Sequence, residues 1–359
     1  MKKEYLFWKN KKVLITGHTG FKGSWLSFWL NSLGSNVFGY SNFPDYEPYG
    51  YKFFNIKKKI KKEKIGDIRN FTKIKTFIKS VKPEIVFHLA AQPLVRKSYS
   101  NPLETLETNI IGTANILNAC RDVKTVKSIV VITTDKCYEN IEKINYSYKE
   151  TDKMGGHDIY SASKGSAELV VSSFRRSYKK DFKNCIISSA RAGNVIGGGD
   201  WSKDRLVPDI IKSIKSKKIL KIRYPEAVRP WQHVIEPLGG YIRLAYLSYT
   251  NKKNHLASSW NFGPNKSACI SVRQILMQFK NRYEKKLRFV MPKKKYLHES
   301  TYLMLDVKKA KKHLNWSPKW SVKKAINYTN DWYDALNKKD FNEILRISKN
   351  QISDYMRSK

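Results

Sequence analysis

Residues 12–23 read KVLITGHTGFKG, a short apolar run followed directly by three glycines in seven residues. The apolar run is typical of a buried strand, and residues 24–33 repeat apolar side chains at helical spacing before Gly34. Glycines permit a tight turn and close backbone approach, and the start of a helix offers free N–H groups to a phosphate. This stretch therefore predicts a strand, a phosphate-binding turn and a helix, which together begin a dinucleotide-binding sheet.

The glycine spacing is G-x-x-G-x-x-G rather than the more frequent G-x-G-x-x-G, but its place between strand and helix supports the same prediction. A second strand is predicted at 36–40. No acidic residue follows it to hold an adenosine ribose; Ser41 and Asn42 come next. Because no arginine follows Tyr40 directly, NAD is favoured over NADP. The predicted cofactor-binding residues are Gly17, Thr19, Gly20, Phe21, Lys22, Gly23, Asp67, Ile68, Leu89, Ala90, Ala91, Tyr160 and Lys164.

Strand and helix patterns alternate through the first half of the chain. Strands are predicted at 12–16, 36–40, 65–69, 84–92, 129–132 and 186–190, with helices at 24–33, 71–81, 101–121 and 158–180. Residues 44–56, rich in proline and tyrosine, are predicted to be a loop. This alternation predicts the α/β class, with a doubly wound parallel sheet of the Rossmann type.

The alternation weakens after residue 193, and a smaller α+β C-terminal portion is predicted to bind substrate. Helices are expected at 206–214, 236–249, 271–281, 307–313 and 321–337, followed by an exposed, partly amphipathic tail helix. We assign 1–193 to the cofactor domain, with 206–260 partly returning to it. Residues 194–205 and 261–359 are assigned to the substrate-binding domain.

The chemistry is predicted to lie between residues 133 and 164. Thr134, Asp135 and Lys136 follow the apolar strand 129–132, at the sheet edge where ligands bind in α/β proteins. Tyr160 and Lys164 are four residues apart and share one helix face. A phenol is a poor base at neutral pH, and a nearby cation favours its ionised form. Tyr160 with Lys164 is therefore a candidate general base.

Composition narrows the class of protein. The net charge is +39, but the lysines recur along the chain, at 57–64, 73–82, 212–221, 293–295 and 308–312. Such spread favours solvated faces over a nucleic-acid site, although the positive field would attract an anionic nucleotide. Four distant cysteines without a Cys-x-x-Cys pair argue against zinc and against disulfides. With no signal-peptide pattern and no long apolar stretch, a cytoplasmic protein without membrane spans is expected.

Together these motifs resemble the extended short-chain dehydrogenase/reductase family, in its sugar-nucleotide 4,6-dehydratase branch. The resemblance spans most of 7–234, with Leu305, Asp306 and Trp316 extending it. Its motifs are FW at 7–8, GHTGFKGSWL at 17–26, HLAAQ at 88–92, TDKCYEN at 134–140, YSASK at 160–164, RAGNVIGGGDW at 191–201 and RPWQHV at 229–234. Branch members acting on dTDP-glucose or GDP-mannose typically carry Asp-Glu after the threonine, whereas those acting on CDP-glucose carry Asp-Lys, as at 135–136 here.

The resemblance implies an NAD-dependent elimination. Tyr160 would remove the 4-hydroxyl proton while NAD takes a hydride from C4, with Thr134 bonding that hydroxyl. Lys136, its pKa lowered by neighbouring positive charge, would remove the C5 proton, and a protonated Asp135 would donate to the leaving 6-hydroxyl. NADH would return its hydride to C6. Substrate contacts are expected from Gln92, Asn194, Arg205 and Arg229, with Trp201 or Trp231 lining the pocket.

The resemblance also implies a homodimer or homotetramer, packed through helices such as 101–121 and 158–180, and a product used for the deoxysugars of bacterial surface polysaccharides. Two alternatives remain open. One is a 4-epimerase, or a dehydratase for another nucleotide, on the same fold. The other is a non-catalytic basic protein that binds RNA or an anionic surface, and the intact set of catalytic residues counts against it.

Overall fold

The computed structural model of the protein describes residues 3–47, 49–251, 253–292 and 302–358. The lysine run at 293–295, the first two residues of the chain and parts of the predicted domain 261–359 lie outside these ranges. Within the described part of the chain, no helix is both long and apolar enough to cross a membrane.

Thirteen strands form within the described ranges. They are β1 (Lys12–Thr16), β2 (Asn36–Ser41), β3 (Lys62–Ile65), β4 (Ile85–His88), β5 (Ser128–Ile132), β6 (Ile186–Ala192), β7 (Val195–Ile196), β8 (Leu220–Lys221), β9 (Val228–Pro230), β10 (Gln232–His233), β11 (Ser259–Phe262), β12 (Cys269–Ser271) and β13 (Phe289–Val290).

Along the chain, the α-helices alternate with the first six strands, and they make up most of the regular structure after β6. They are α1 (Lys3–Leu6), α2 (Phe21–Ser32), α3 (Tyr49–Phe53), α4 (Ile56–Lys59), α5 (Phe71–Val81), α6 (Val95–Ser100), α7 (Pro102–Leu106), α8 (Gly112–Arg121), α9 (Ile159–Ser177), α10 (Leu206–Ser216), α11 (Ile235–Asn251), α12 (Val272–Arg282), α13 (Lys308–Leu314), α14 (Val322–Asn337) and α15 (Phe341–Arg357). A π-helical turn, Glu107–Ile111, joins α7 to α8, and short 3-10 turns cover Asp135–Cys137, Asn254–Leu256 and Lys266–Ala268.

A central sheet of seven parallel strands organises the described residues, in the order β11-β6-β5-β4-β1-β2-β3. The order reverses between β1 and β4, which are paired in parallel with Thr16 opposite His88. At such a reversal the connections leave in opposite directions and open a crevice at the carboxyl ends of the strands. The predicted doubly wound parallel sheet is confirmed.

Apolar layers cover both faces of this sheet. Along β1, the side chains of Val13 and Ile15 belong to one core and that of Leu14 to the other, as expected because successive side chains in a strand point to opposite faces. The first core lies under α2 and α11, and the second lies under α5, α8 and α9. His88 is buried at the end of β4, with its ring nitrogens 2.7 Å from Thr16 Oγ1 and 3.1 Å from Thr113 Oγ1. Its predicted place in the core is confirmed.

The prediction of a loop over 44–56 was wrong in its second half. Helix α3 and the start of α4 occupy it, because the aromatic residues there pack inward. Phe54 is fully buried, with its ring stacked 4.7 Å from Phe28 and edge-on to Trp25 at 4.9 Å. Proline and tyrosine content alone suggested a loop, whereas burial of these rings against α2 stabilises helical turns.

The C-terminal portion is more closely joined to the sheet than its weak alternation suggested. Residues 261 and 262 belong to β11, the seventh strand, so they lie in the sheet and not beyond it. The rest of the predicted domain division stays a prediction. The tail helix α15 is not simply exposed. Its Ser348 Oγ accepts a hydrogen bond from Trp332 Nε1 at 3.1 Å, and its Tyr355 OH accepts one from Trp316 Nε1 at 3.1 Å.

One buried carboxylate on α11 predicts a pH-dependent stability. Glu236 Oε1 accepts hydrogen bonds from the backbone N–H groups of Lys319 and Trp320, at 2.9 and 2.6 Å. Its Oε2 has no partner among the described residues, and burial raises the Glu236 pKa to about 7. A carboxyl group whose pKa is higher in the folded state stabilises the protein at low pH, and that contribution is lost as pH rises from about 4.5 to 7.

Glu236→Gln keeps the acceptor and removes the charge. The free energy of unfolding, measured in urea, should fall between pH 4.5 and pH 7 in the wild type. In the variant we expect this fall to be smaller by about 2–3 kcal/mol. The exposed Glu226→Gln is the matched control. Parallel pH curves for wild type and Glu236→Gln would contradict this account.

Candidate active site

A single cleft of about 790 Å³ follows the carboxyl edge of the sheet and continues towards the C-terminal portion. Its lining includes every residue predicted from the sequence to act in catalysis, cofactor binding or substrate binding. These are Gly17, Thr19, Gly20, Phe21, Lys22, Gly23, Asp67, Ile68, Leu89, Ala90, Ala91, Gln92, Thr134, Asp135, Lys136, Tyr160, Lys164, Asn194, Arg205 and Arg229. Their individual roles remain predictions.

The glycine turn between β1 and α2 forms a tight cradle at one end of the cleft. Gly17 has φ +79°, a left-handed conformation that favours glycine, and a Cβ there would lie 2.7 Å from the Ala90 nitrogen. A Cβ on Gly23 would lie 2.0 Å from the Gly17 carbonyl oxygen. Helix α2 begins at Phe21, so the N–H groups of its first turn face the cradle. This arrangement fits the pyrophosphate of a dinucleotide.

The second and third glycines of the turn, Gly20 and Gly23, give a matched pair for mutation. Gly23→Ala places a methyl group against backbone that cannot move aside without shifting the turn, whereas a Cβ on Gly20 meets the Gly17 oxygen only at 3.4 Å. We expect Gly23→Ala to lower the free energy of unfolding by about 1–3 kcal/mol and Gly20→Ala by less than about 1 kcal/mol. Urea titrations of the cofactor-free protein test this. Equal losses in the two variants would argue against a close-packed turn.

The adenosine end of the cleft is lined by polar groups that are held in place. Thr19 Oγ1 donates to the Asn42 carbonyl at 2.6 Å, and Asp67 accepts two hydrogen bonds from the Arg69 side chain, at 2.6 and 2.9 Å. A carboxylate that the sequence did not single out, Glu63, pairs with His18 Nε2 at 2.9 Å. Because Glu63 does not line the cleft, it does not replace the acidic residue missing from the end of β2.

The five predicted catalytic residues line the same part of the chain's main cleft. Thr134 caps the short turn Asp135–Cys137, and its hydroxyl donates to Asp135 Oδ1 at 3.0 Å. Tyr160 lies in the first turn of α9, which is capped by Asp158, and its phenol is close enough to Thr134 for a hydrogen bond that lowers the phenol pKa. Lys164 follows one turn later and is buried. The structure therefore brings together all five predicted catalytic residues.

The prediction that a nearby Lys164 lowers the Tyr160 pKa was wrong. Burial raises the Tyr160 pKa to about 12, and the cation that opposes this rise is Arg205. Burial also lowers the Lys164 pKa to about 8, with Glu168 opposing the change. Desolvation disfavours the charged forms of both groups, and it outweighs the attraction between a phenolate and an ammonium ion.

Asp135 and Lys136 occupy different surroundings although they are adjacent in sequence. Asp135 is buried, and burial raises its pKa against the opposing effects of Lys136, Thr134, Arg229 and Lys22, the direction the sequence predicted. Asp135 Oδ2 has no partner among the described residues. Lys136 lines both the main cleft and a neighbouring cavity of about 360 Å³. A lowered pKa for Lys136 stays a prediction.

Lys22, in the glycine turn, has a pKa that is shifted by charges of the predicted catalytic residues. Burial and the nearby Arg205 lower the Lys22 pKa to about 8. Lys164 also lowers it, whereas Asp135 opposes the change. The Lys22 side chain lines the same cleft as Asp135 and Lys164.

A buried ion pair behind the catalytic residues was missed from the sequence. Glu168 on α9 accepts hydrogen bonds from Arg191 at 2.8 Å, Thr133 at 2.5 Å and Ser189 at 2.7 Å. It lies one turn after Lys164 and ties α9 to the ends of β5 and β6. The signal was present, since a glutamate at the i+4 position from Lys164 shares the face of the helix that carries Lys164.

The predicted substrate-binding residues differ in the contacts that their side chains make within the protein. Arg205 donates to Asp200 at 3.2 Å, and Arg229 is buried close enough to Asp135 to affect its pKa. Gln92 is committed to the scaffold, because its amide donates to Thr105 and Leu94 and accepts from the Leu94 N–H. Of the two tryptophans, Trp231 lines the cleft, whereas Trp201 packs on Tyr49, with ring centres 4.7 Å apart.

The chain belongs to a family of nucleotide-sugar dehydratases, since the model of the GDP-mannose 4,6 dehydratase family matches residues 14–329. Among individual relatives, the chain is similar to CDP-glucose 4,6-dehydratase of Salmonella typhimurium, at 43% identity over 98% of this chain and 97% of the relative. It is also 29% identical to UDP-glucuronate 4-epimerase of Thermodesulfobacterium geofontis, over 89% and 95% of the two chains.

Solved structures share the fold. The dTDP-glucose 4,6-dehydratase of Bacillus anthracis in complex with NAD has a TM-score of 0.73 at 21% identity, with 90% of this chain and 96% of that chain covered. UDP-glucose 4-epimerase of Thermotoga maritima has a TM-score of 0.76 at 23% identity, with 90% and 99% covered. Dehydratases and epimerases thus share this architecture, and the site residues must distinguish them.

Proposed function

We propose that the chain is an NAD-dependent CDP-glucose 4,6-dehydratase, which converts CDP-glucose to CDP-4-keto-6-deoxyglucose and water. The observation that carries the proposal is the convergence of Thr134, Asp135, Lys136, Tyr160 and Lys164 in one cleft beside a dinucleotide cradle. The Asp-Lys pair at 135–136 and the Salmonella typhimurium relative, 43% identical over 98% of this chain, favour CDP-glucose among nucleotide sugars.

The cofactor would be held by the turn 17–23 and by Leu89, Ala90 and Ala91, with Asp67 and Ile68 at its adenine. When bound, NAD supplies a hydride acceptor at C4 of the sugar and a hydride donor at C6. The positive charge of an oxidised nicotinamide held near Tyr160 and Lys164 would favour the phenolate and so oppose the rise in the Tyr160 pKa that burial causes. Tyr160 then accepts the 4-hydroxyl proton, while Thr134 positions that hydroxyl.

The elimination requires an acid and a base on the C5–C6 side of the sugar. Oxidation at C4 acidifies the C5 proton, which neutral Lys136 accepts. Asp135, whose burial raises its pKa and so favours the protonated form, donates its proton to the leaving 6-hydroxyl, so that water departs and a C5–C6 double bond forms. Lys136 would then return its proton to C5 as the hydride is returned to C6. The proton taken up by Tyr160 balances the one lost from Asp135, so the enzyme is regenerated and no external reductant is consumed.

Assembly and location follow from the same proposal. The exposed faces of α7, the π-helical turn and α9 carry the large apolar side chains Leu103, Ile111 and Leu169, which are 72%, 53% and 59% exposed. Packing of these helices against a second copy would bury them, so we propose a homodimer, or a tetramer of such dimers. We place the enzyme in the cytoplasm, where its product would supply the deoxysugars of a bacterial surface polysaccharide.

A parallel turnover assay tests the function. CDP-glucose, dTDP-glucose, UDP-glucose and GDP-mannose are each incubated with the enzyme and NAD, and the alkali-induced absorbance of a 4-keto-6-deoxy sugar is recorded. We expect product from CDP-glucose alone. Product from another nucleotide sugar instead would support the dehydratase reaction and refute CDP-glucose as the substrate. An epimer, or no product from any substrate, would refute the dehydratase.

A further inference from the structure

Part of the cleft lining comes from α10, from β8 with the residues that follow it, and from the start of α12, and it combines apolar groups with charged ones. Leu220, Ile222, Ala227 and Val272 supply the walls, and the charged side chains are those of Asp209 and Arg223. Apolar walls with a few polar groups suit a planar heterocycle.

Asp209 differs from the other carboxylates near it. Asp204 accepts hydrogen bonds from Arg96 at 2.9 Å and Arg223 at 3.0 Å, and Asp200 accepts from Arg205 at 3.2 Å. In the ranges that the structure describes, the Asp209 carboxylate has neither a hydrogen bond nor an ion pair, although its side chain is half-buried in the first turn of α10. A partly desolvated acceptor without a protein partner is costly unless a ligand satisfies it.

The chemistry of the pyrimidine bases distinguishes which of them would satisfy this acceptor. Cytosine carries an amino group at C4, which donates hydrogen bonds, whereas uracil and thymine carry a carbonyl oxygen there, which only accepts. A carboxylate facing that position attracts the amino group and repels the carbonyl oxygen, so it both favours one base and disfavours the others. A guanidinium such as Arg223 supplies donors, and cytosine offers acceptors at N3 and O2.

We propose that Asp209 selects cytosine nucleotides by accepting a hydrogen bond from the cytosine amino group, with Arg223 donating to the acceptor edge of the same ring. The inference rests on the proposed function, since it names the group that recognises the base of the nucleotide sugar. Burial raises the Asp209 pKa to about 6, so the carboxylate is mostly ionised at pH 7.5 and available as an acceptor.

The test compares wild type with Asp209→Asn, which keeps the shape of the side chain and adds a donor that can face a carbonyl oxygen. The dissociation constants of CDP and UDP are measured by calorimetry, and kcat/KM is measured for CDP-glucose and UDP-glucose. We expect the preference for CDP over UDP to fall at least about tenfold in both measurements. The matched control, Glu226→Gln, changes an acid that pairs with Arg273 and does not line the cleft, and should keep the wild-type preference.

Equal weakening of CDP and UDP binding would mean that Asp209 contacts the ribose, and would overturn the proposal. An unchanged preference would overturn it as well. Because the binding constants need no turnover, they remain informative if the wild type fails to make a 4-keto sugar, which is the outcome that refutes the proposed function itself.

Discussion

Replacement of Tyr160 by phenylalanine is expected to reduce the turnover of CDP-glucose by about 10²–10⁴-fold, the range in which a positioned general acid or base contributes. In the proposed mechanism the phenol, which lies next to the Thr134 hydroxyl, accepts the 4-hydroxyl proton. Because the reaction begins with this proton transfer, no later step compensates for its loss. Steady-state assays with saturating NAD measure the effect, and calorimetry measures NAD affinity.

The affinity for NAD and the thermal midpoint should change little, since the ring of Tyr160 remains to pack. Tyr178→Phe, at the far end of α9, is the control and should keep full activity. If Tyr160→Phe turned over CDP-glucose at more than about a tenth of the wild-type rate, the assignment of the base would be wrong.

The second large effect is expected at the pair 135–136. Asp135→Asn and Lys136→Met should each slow formation of the 4-keto-6-deoxy product by about 10²–10⁴-fold, because they remove the acid and the base of the elimination. Oxidation at C4 does not use these groups, so it should persist. We therefore expect reduced nicotinamide to accumulate in a single turnover, visible by its near-ultraviolet absorbance.

Lys143→Met, on the connection that leads to α9, is the control and should behave as wild type. Should either variant at 135–136 lose C4 oxidation and elimination equally, the residue would belong to the first step and not to the second. Full product formation by Lys136→Met would remove it from the mechanism.

Much of the fold could be predicted because its signals are local. The run KVLIT before a glycine turn gave β1 with the bounds that the structure has, and the apolar spacing of residues 71–81 gave α5 in the same way. The catalytic set was also predictable, since the residues that follow parallel strands meet at one sheet edge. These inferences need only periodicity and topology.

The parts that could not be predicted depend on contacts between distant residues. Helix α3 exists because Phe54 and its neighbours pack on α2, which the local composition of 44–56 does not reveal. The pKa of Tyr160 rises because the cleft desolvates it, and the depth of burial is a property of the whole fold. Glu168 and Arg191 are 23 residues apart in sequence, and only the packing of α9 against β6 joins them.

The role proposed for Asp209 could not be predicted from its position in the sequence either. Its first-turn place in α10 resembles an ordinary acidic residue that favours a helix N-terminus. Its lack of a partner, in contrast with Asp200 and Asp204, emerges only once the cleft is assembled. The proposed recognition of the base is therefore the feature for which the structure adds most to the sequence.

The central claim is that one cleft oxidises C4, eliminates water across C5 and C6, and returns the same hydride to C6. The most direct test uses CDP-glucose deuterated at C4, with NAD present in catalytic amount and no reductant. The account predicts full conversion to a product that carries the deuterium at C6, as read by NMR and mass spectrometry. Product without deuterium at C6, a labelled 4-epimer, or conversion that stops after one equivalent of NAD would contradict it.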